Sequence, residues 1–193
     1  MNDNDQILKD KIFGKLYEKN LNIILCAEPF VKLQFLNNLT DCSNLPVIFL
    51  DFDLLYSGYV VSQIIPKNKR IEVFCPDDDE LAVMFSKVTK KISEDKCIVI
   101  LDSLNGFYDI CDNKDSGIFI NTMIMLLNAI ARQKSSTIVV TAIARKKDSA
   151  GWILSPEGRQ IFELGDRKFF QIDNKGKLTL MTNEDEQIQD RAI

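Results

Sequence analysis

Histidine is missing from this 193-residue sequence, and its absence removes several kinds of enzyme site. Without imidazole there is no histidine general base, no Ser-His nucleophile and no histidine metal ligand. We therefore expect no catalytic triad and no histidine-based metal centre.

Cysteine is present but follows no metal or redox spacing. The five cysteines are Cys26, Cys42, Cys75, Cys97 and Cys111. They are scattered and odd in number, they form no C-x-x-C, and several lie in apolar runs. This usage is typical of reduced core thiols in a cytosolic protein, so we expect a cytoplasmic location.

Long apolar runs are also missing, since none approaches the ~20 residues that span a bilayer. The first residues are polar and mixed in charge, so we expect no signal peptide and no membrane partner. The net charge of −4 argues against broad non-specific binding of nucleic acid. A content of 46% hydrophobic and 27% charged residues is that of an ordinary globular protein.

The most informative stretch covers residues 97–102, where five apolar residues precede Asp102. An unbroken apolar run predicts a strand that is buried on both faces of a parallel sheet. Ligands of such sheets bind just beyond the carboxyl ends of the strands, where an acid can hold Mg²⁺. The alternative is that Asp102 simply begins a turn.

Strands and helices alternate along the chain, which predicts right-handed βαβ units. We predict strands at 21–26, 47–50, 71–75, 97–102 and 137–142, and helices at 30–39, 59–65, 81–92 and 119–133. Further strands are expected at 160–164, 168–172 and 178–180, with a hairpin turn at 174–176. Loops are expected at 109–117 and 145–158, and Asp77 and Glu80 resemble a capping box.

The predicted fold is therefore α/β: three layers, with a mostly parallel sheet between helices and a C-terminal antiparallel hairpin. We expect a single domain over residues 1–182. Residues 183–193 are rich in Glu, Asp and Gln, and we expect them to form a disordered acidic tail.

The order of these parts resembles the RecA-like ATPase core of the archaeal RadA/RadB and KaiC families over roughly residues 8–180. The segments that carry the resemblance are 47–53, 73–76, 97–107, 141–144 and 155–159. Segment 97–107 is similar to the Walker B strand of these families. Residues 141–143 stand where they have Thr-Asn-Gln, and 47–53 is similar to the strand that ends in their catalytic glutamate.

The nucleotide-binding loop of this family is altered, because residues 26–33 contain no glycine. A P-loop needs glycine so that backbone N–H groups can wrap the phosphates. With Lys32 as the phosphate lysine, Leu33 occupies the Ser/Thr position that binds Mg²⁺; another register removes the lysine altogether. Ile143 replaces the glutamine, and Asp53 is shorter than glutamate.

The resemblance thus implies a degenerate nucleotide site made by Lys32, Asp53 and Asp102. The alternatives are that Lys32 is a surface lysine on a helix, that Asp53 is a loop acid and that Asp102 is a turn acid.

A second candidate surface is the loop 145–159. Arg145, Lys146, Lys147, Trp152 and Arg159 could bind single-stranded nucleic acid there, with Trp152 stacking on a base. The alternative is a solvated loop that Trp152 anchors to the body.

From the resemblance we expect a non-catalytic RecA-fold paralogue that acts as an accessory or scaffold protein in homologous recombination and DNA repair. Its partners would be a RadA-like recombinase, another RecA-fold subunit or a second copy, with weak binding of single-stranded DNA and no cofactor. One alternative is a weak or altered Mg-ATP-binding ATPase of the RadB/KaiC type. Another is a RecA-like assembly subunit outside recombination, as in Elongator.

Overall fold

A computed structural model describes Gly14, Leu16 and residues 20–77, 79–111, 116–147, 151–154 and 167–181. The strands are β1 (Leu21–Cys26), β2 (Val47–Asp51), β3 (Ile71–Phe74), β4 (Ile98–Asp102), β5 (Thr137–Lys147), β6 (Gly151–Leu154), β7 (Arg167–Ile172) and β8 (Leu178–Leu180). The helices within these ranges are α1 (Pro29–Cys42), α2 (Leu55–Val61), α3 (Leu81–Glu94), α4 (Leu104–Ile110) and α5 (Ser116–Gln133).

The strands form a sheet in the order β3-β2-β4-β5-β1-β7-β8, and β6 pairs with β5. Every pairing among β1, β2, β3, β4, β5 and β7 is parallel, whereas β5–β6 and β7–β8 are antiparallel. The predicted parallel sheet and C-terminal hairpin are therefore confirmed.

Strand β4 is buried on both faces, as its unbroken apolar sequence predicts. Val99 and Leu101 join a core cluster with helices α3, α4 and α5, whereas Ile98 and Ile100 join a second cluster with α1 and α2. Helices thus cover both faces of the sheet, which is the predicted three-layer arrangement. None of the helices in the described ranges is both long and apolar enough to cross a bilayer.

Several predicted boundaries differ from the structure. The helix expected at 59–65 lies at 55–61, and the helix expected at 119–133 already begins at Ser116. The carboxylate of Asp77 accepts the N–H of Glu80, but Glu80 itself is the N-cap of α3, so the segment is a turn before the helix.

Two further elements replace predicted loops. Helix α4 begins at Leu104 and includes Asp109, and strand β5 continues to Lys147 and pairs with β6. The predicted strand at 160–164 and the predicted tail at 183–193 lie outside the described residues.

The burial of β4 generates a stability prediction with a matched control. Val99 is fully buried, whereas Val61 at the end of α2 is 80% exposed. Val99→Ala should lower the free energy of unfolding by about 2 kcal/mol, because it removes buried methyl groups and leaves a cavity. Val61→Ala makes the same chemical change in water and should have little effect. Urea unfolding of both variants measures this difference; equal effects would place β4 outside the core.

Candidate functional site

The candidate site lies at the carboxyl edge of the sheet, where β1, β2 and β4 end. Beyond β2, the N–H groups of Phe52 and Asp53 both donate to the carbonyl of Asp102, at 2.7 and 3.3 Å. These bonds continue the pairing of the two strands past their ends. They place the Asp53 side chain beside Asp102, which the predicted degenerate site requires.

Helix α1 brings Lys32 to the same place. Only Ala27 and Glu28 separate the end of β1 from Pro29, the first residue of the helix. Proline suits this position because the first helical N–H groups lack intrahelical partners anyway. The N–H of Lys32 donates to the carbonyl of Glu28 at 3.1 Å, so the lysine lies in the first full turn.

Lys32 is fully buried, so its interpretation as a surface helix lysine is wrong. Its Nζ lies 2.7 Å from Oδ2 of Asp53 and 2.7 Å from Oδ1 of Asp102. Asp102 is also fully buried, whereas the Asp53 side chain is 22% exposed. We call this ion-paired set of Lys32, Asp53 and Asp102 the lysine triad.

Asp53 is held by a second bond, from the residue that follows β4. The hydroxyl of Ser103 donates to Oδ1 of Asp53 at 3.0 Å, and its oxygen accepts the N–H of Gly106 at 3.4 Å as the N-cap of α4. Helix α4 lies so close that a Cβ on Gly106 would meet Asp53 and the Phe52 backbone, 2.8 Å from its carbonyl. Glycine at 106 therefore permits this approach of α4 to the triad.

Strand β5 closes the other side of the site. The Thr141 hydroxyl donates to Oδ1 of Asp102, the same oxygen that Lys32 contacts. Ile143 lies two residues after Thr141 in β5, and the Asn105 side chain bonds both of its backbone groups. The amide nitrogen of Asn105 donates to the Ile143 carbonyl at 3.1 Å, and its oxygen accepts the Ile143 N–H at 2.7 Å. Ile143 stands where the resemblance expects glutamine, and its hydrocarbon side chain has no hydrogen-bonding group.

Burial and charge oppose each other within the triad. Burial raises the pKa of Asp102, and this outweighs the opposite effects of Lys32 and of the Thr141 hydrogen bond. Burial alone would lower the pKa of Lys32, but the carboxylates of Asp102 and Asp53 together raise it. The ammonium is thus strongly held. Oδ2 of Asp102, by contrast, is buried without a hydrogen-bond partner among the described residues.

These residues do not fit the Mg²⁺-nucleotide that a RecA-like fold implies. The Lys32 ammonium already contacts both acids that would hold the metal. In a P-loop the G-x-x-x-x-G run before the lysine forms the phosphate loop, but here the last three of the six residues before Lys32 already belong to helix α1. Leu33, at the Mg²⁺-ligand position, is 4% exposed and packs in the core cluster under α1. Within the described ranges, no group of three His, Cys, Asp or Glu could hold a metal ion.

The predicted nucleic-acid residues lie on the hairpin of β5 and β6. Arg145 is exposed and pairs in register with Ile153, and Lys146 pairs with Trp152. Trp152 is partly buried and packs against the core cluster of α3, α4 and α5. This contact agrees with the anchoring role that we gave as the alternative. The backbone of Lys147 lies in β5, whereas Arg159 lies outside the described residues.

The sequence analysis did not identify Ser103, Asn105 and Thr141 as parts of the site. In the structure, the side chain of each forms a hydrogen bond that fixes part of the site. A signal was present, because all three are polar residues at or just past the carboxyl ends of predicted strands. In a parallel sheet those ends meet at one edge, so their side chains become neighbours.

The fold is that of a RecA-like core. Among solved structures, the chain is similar to the crystal structure of the RadB recombinase, with a TM-score of 0.55 and 16% sequence identity. The alignment covers 82% of this chain and 79% of that one. No protein-family model and no curated protein matches the sequence. At this identity the similarity establishes the fold alone.

The triad generates a stability prediction with a matched control. Lys32→Met leaves two carboxylates without their buried cation and should lower the free energy of unfolding by about 3–5 kcal/mol at pH 7. Lys91→Met makes the same change in an exposed ion pair, in which Nζ lies 2.8 Å from Oε2 of Glu72, and should change stability little. Urea titration measures both; a small loss in Lys32→Met would mean that the triad is not buried.

The pH dependence of the same variant has a definite sign. Because the pKa of folded Asp102 is raised above its ordinary value of 3.8, the folded state takes up a proton before the unfolded chain does. Without Lys32, Asp102 loses the cation that opposed this rise. The stability of Lys32→Met should therefore increase relative to the wild type as the pH falls towards 3.8. A stability difference that stays constant between pH 7 and 4 would contradict this assignment.

Proposed function

We propose that the chain is a non-catalytic RecA-fold protein that acts as an accessory or scaffold subunit in homologous recombination and DNA repair. The observation that carries this proposal is the lysine triad. Lys32 neutralises acids that in an active site would serve the metal and the attacking water. Nucleotide chemistry is thereby replaced by an internal ion pair.

The short connection between β1 and α1 supports the loss of nucleotide binding independently. Phosphates are bound by successive backbone N–H groups of a glycine-rich loop. Here Ala27 and Glu28 make the whole connection, and Glu28 adds a negative charge where phosphates would approach. The carbonyl of Glu28 also accepts from the Cys26 thiol at 3.2 Å, and burial raises the pKa of this thiol, which keeps it neutral.

The recombination context comes from the similarity to a structure named as a recombinase. A RecA-fold protein without nucleotide turnover can still use its surfaces to bind a RadA-like recombinase or another RecA-fold subunit. In this proposal the chain assists assembly of an active partner on DNA and contributes no hydrolysis of its own.

Calorimetric titration and thermal unfolding with Mg-ATP test the non-catalytic part of the proposal. We expect no heat and no rise in Tm at millimolar Mg-ATP. A ligand present at 100 times its Kd would stabilise the folded state by about 2.7 kcal/mol, which such scans detect readily. Binding that is abolished by Asp102→Asn would instead establish a Mg-ATP site at the triad and overturn the proposal.

A weak contact with single-stranded DNA through the β5–β6 hairpin is the second part of the proposal. Three consecutive cations, Arg145, Lys146 and Lys147, lie at the end of β5, and Arg145 is exposed. With Arg159 they could neutralise at most about four phosphates, so the slope of log affinity against log salt should be no steeper than about −3 to −4.

Fluorescence anisotropy of a labelled single-stranded oligonucleotide tests this contact, with the chain alone and with a RadA-like recombinase. Joint Lys146→Glu and Lys147→Glu should abolish binding by the chain alone, because the contact is electrostatic. Joint Lys87→Glu and Lys90→Glu makes the same charge change on α3 and should leave it intact. The wild type should strengthen DNA binding by the recombinase. Without any such effect, and without binding alone, the accessory role is wrong.

A further inference from the structure

Helix α5 has an outer face of unusual composition. Residues 118, 119, 122, 125, 126 and 129 project within about 120° of one another at 3.6 residues per turn. In this chain they are Ile118, Phe119, Thr122, Met125, Leu126 and Ala129, all exposed and none charged. The exposed fractions are 65% for Ile118, 56% for Met125, 44% for Leu126 and 37% for Phe119.

Such a face departs from the ordinary pattern of a surface helix. The opposite side of α5 is already buried through Ile120, Ile124 and Leu127, and at the border of the outer face the Phe119 ring also contacts Phe107 of the core at 6.2 Å between centroids. A surface helix normally turns charged residues to water, as α3 does with Lys87 and Lys90. Contiguous apolar surface rimmed by polar residues marks an interaction site.

The order of side chains on this face is symmetric about Thr122. Ile118 and Leu126 lie four residues before and after it, and Phe119 and Met125 lie three before and after. The Thr122 hydroxyl donates to the carbonyl of Ile118 at 2.7 Å, so its polar group is satisfied within the helix. The residue at the centre of the face, Thr122, is therefore small, and its hydroxyl needs no partner from another chain. Large apolar side chains lie on both sides of it.

We propose that this face binds the same face of a second copy, forming a two-fold symmetric dimer through antiparallel α5 helices. In an isologous contact, residue i meets residue j and residue j meets residue i. Crossing at Thr122 sets Ile118 of each copy against Leu126 of the other, and Phe119 against Met125. The two threonines meet at the centre, where their small size lets the helices approach.

The charges around α5 fit this antiparallel arrangement. Asp109 is exposed near the end of α4, seven residues before α5 begins, and Arg132 and Lys134 are exposed at the carboxyl end of α5. Antiparallel crossing brings this basic end of each copy towards the end of α5 that Asp109 precedes in the other copy. Two chains of net charge −4 repel each other in general, but the uncharged face adds no repulsion at the contact itself.

Other occupants fit the face less well. A face that lies on an anionic membrane usually carries Lys or Arg along its polar border, but here the cations lie only at one end of the helix. A charged protein groove would find no counter-charge along the centre of α5. The proposal does not depend on the loss of nucleotide binding.

Sedimentation equilibrium of the full chain tests the dimer. We expect a weak monomer–dimer equilibrium, because one helix face per copy makes a small interface, and Met125→Lys should weaken association by about tenfold or more because it buries an unpaired charge. Ala82→Lys adds the same charge on the exposed side of α3 and should leave association unchanged. Circular dichroism should show that both variants remain folded, since each substituted position is exposed.

Cysteine cross-linking tests the symmetry separately, in a background that carries Cys75→Ser to remove the exposed native thiol. Thr122→Cys should form a disulfide with its own copy under mild oxidation, because the two-fold contact brings the Cα atoms within the about 4.4–6.8 Å that a disulfide needs. Ser86→Cys on α3 should not cross-link.

A chain that stays monomeric, or a dimer that survives Met125→Lys and leaves Thr122→Cys uncross-linked, would overturn the proposal. Vesicle binding that Met125→Lys abolishes would assign the face to a membrane instead. Protection of the face by a recombinase, with no dimer of the chain alone, would assign it to a different protein.

Discussion

The ammonium of Lys32 is the constraint on which the carboxyl edge of the sheet depends. It joins three separate elements: helix α1, the segment after β2 and the end of β4. Removing two carboxylates and an ammonium from water costs several kcal/mol per ion, and good geometry offsets that cost. The contacts at 2.7 Å and the hydrogen bonds from Ser103 and Thr141 provide such geometry. The triad is therefore costly to break and sets the spacing of its neighbours.

A buried ion pair is weak evidence for net stability, since apolar residues of equal volume often do as well. What the triad supplies is a unique arrangement. Two acids drawn to one cation fix the register between β2 and β4 beyond their last ladder bonds. They also fix the rotation of α1, because Lys32 reaches both acids only when its side of the helix faces the sheet.

Much of the fold could be predicted from the sequence, because it follows from hydrophobic pattern. The bounds of strand β4 were predicted to within one residue, because five consecutive apolar residues are typical of a strand that is buried on both faces. Asp53 and Asp102 were assigned with Lys32 to one candidate site by the resemblance and not by the hydrophobic pattern. The burial of Lys32 could not be predicted from the hydrophobic pattern. Leu33 next to it also faces the core, and nothing in the local sequence indicates that a charged side chain between apolar neighbours is buried.

The remaining differences have their own physical causes. Helix α4 contains Asn105 and Gly106, which are poor helix formers, and it is held by the Ser103 cap and by tertiary contacts that no local signal reveals. Strand β5 was predicted to end at Ala142, with a polar loop from Arg145 onwards. Pairing with β6 continues it to Lys147, and the local hydrophobic pattern does not show this pairing. The partial burial of Trp152 likewise depends on this pairing, because Trp152 lies in β6 and packs against the core cluster.

The position of β1 in the sheet bears on how the chain is made. Its two neighbours are β5 and β7, so Leu21 pairs with Ile138 on one side and with Arg167 on the other. At about 5–20 residues per second, a ribosome needs on the order of ten seconds between exposing β1 and supplying β5. During that interval the apolar residues of β1 have no strand to pair with, and such exposed segments are prone to aggregate and bind chaperones. Among the described strands, β1 is therefore the one with the longest delay between its own synthesis and that of the strands it pairs with.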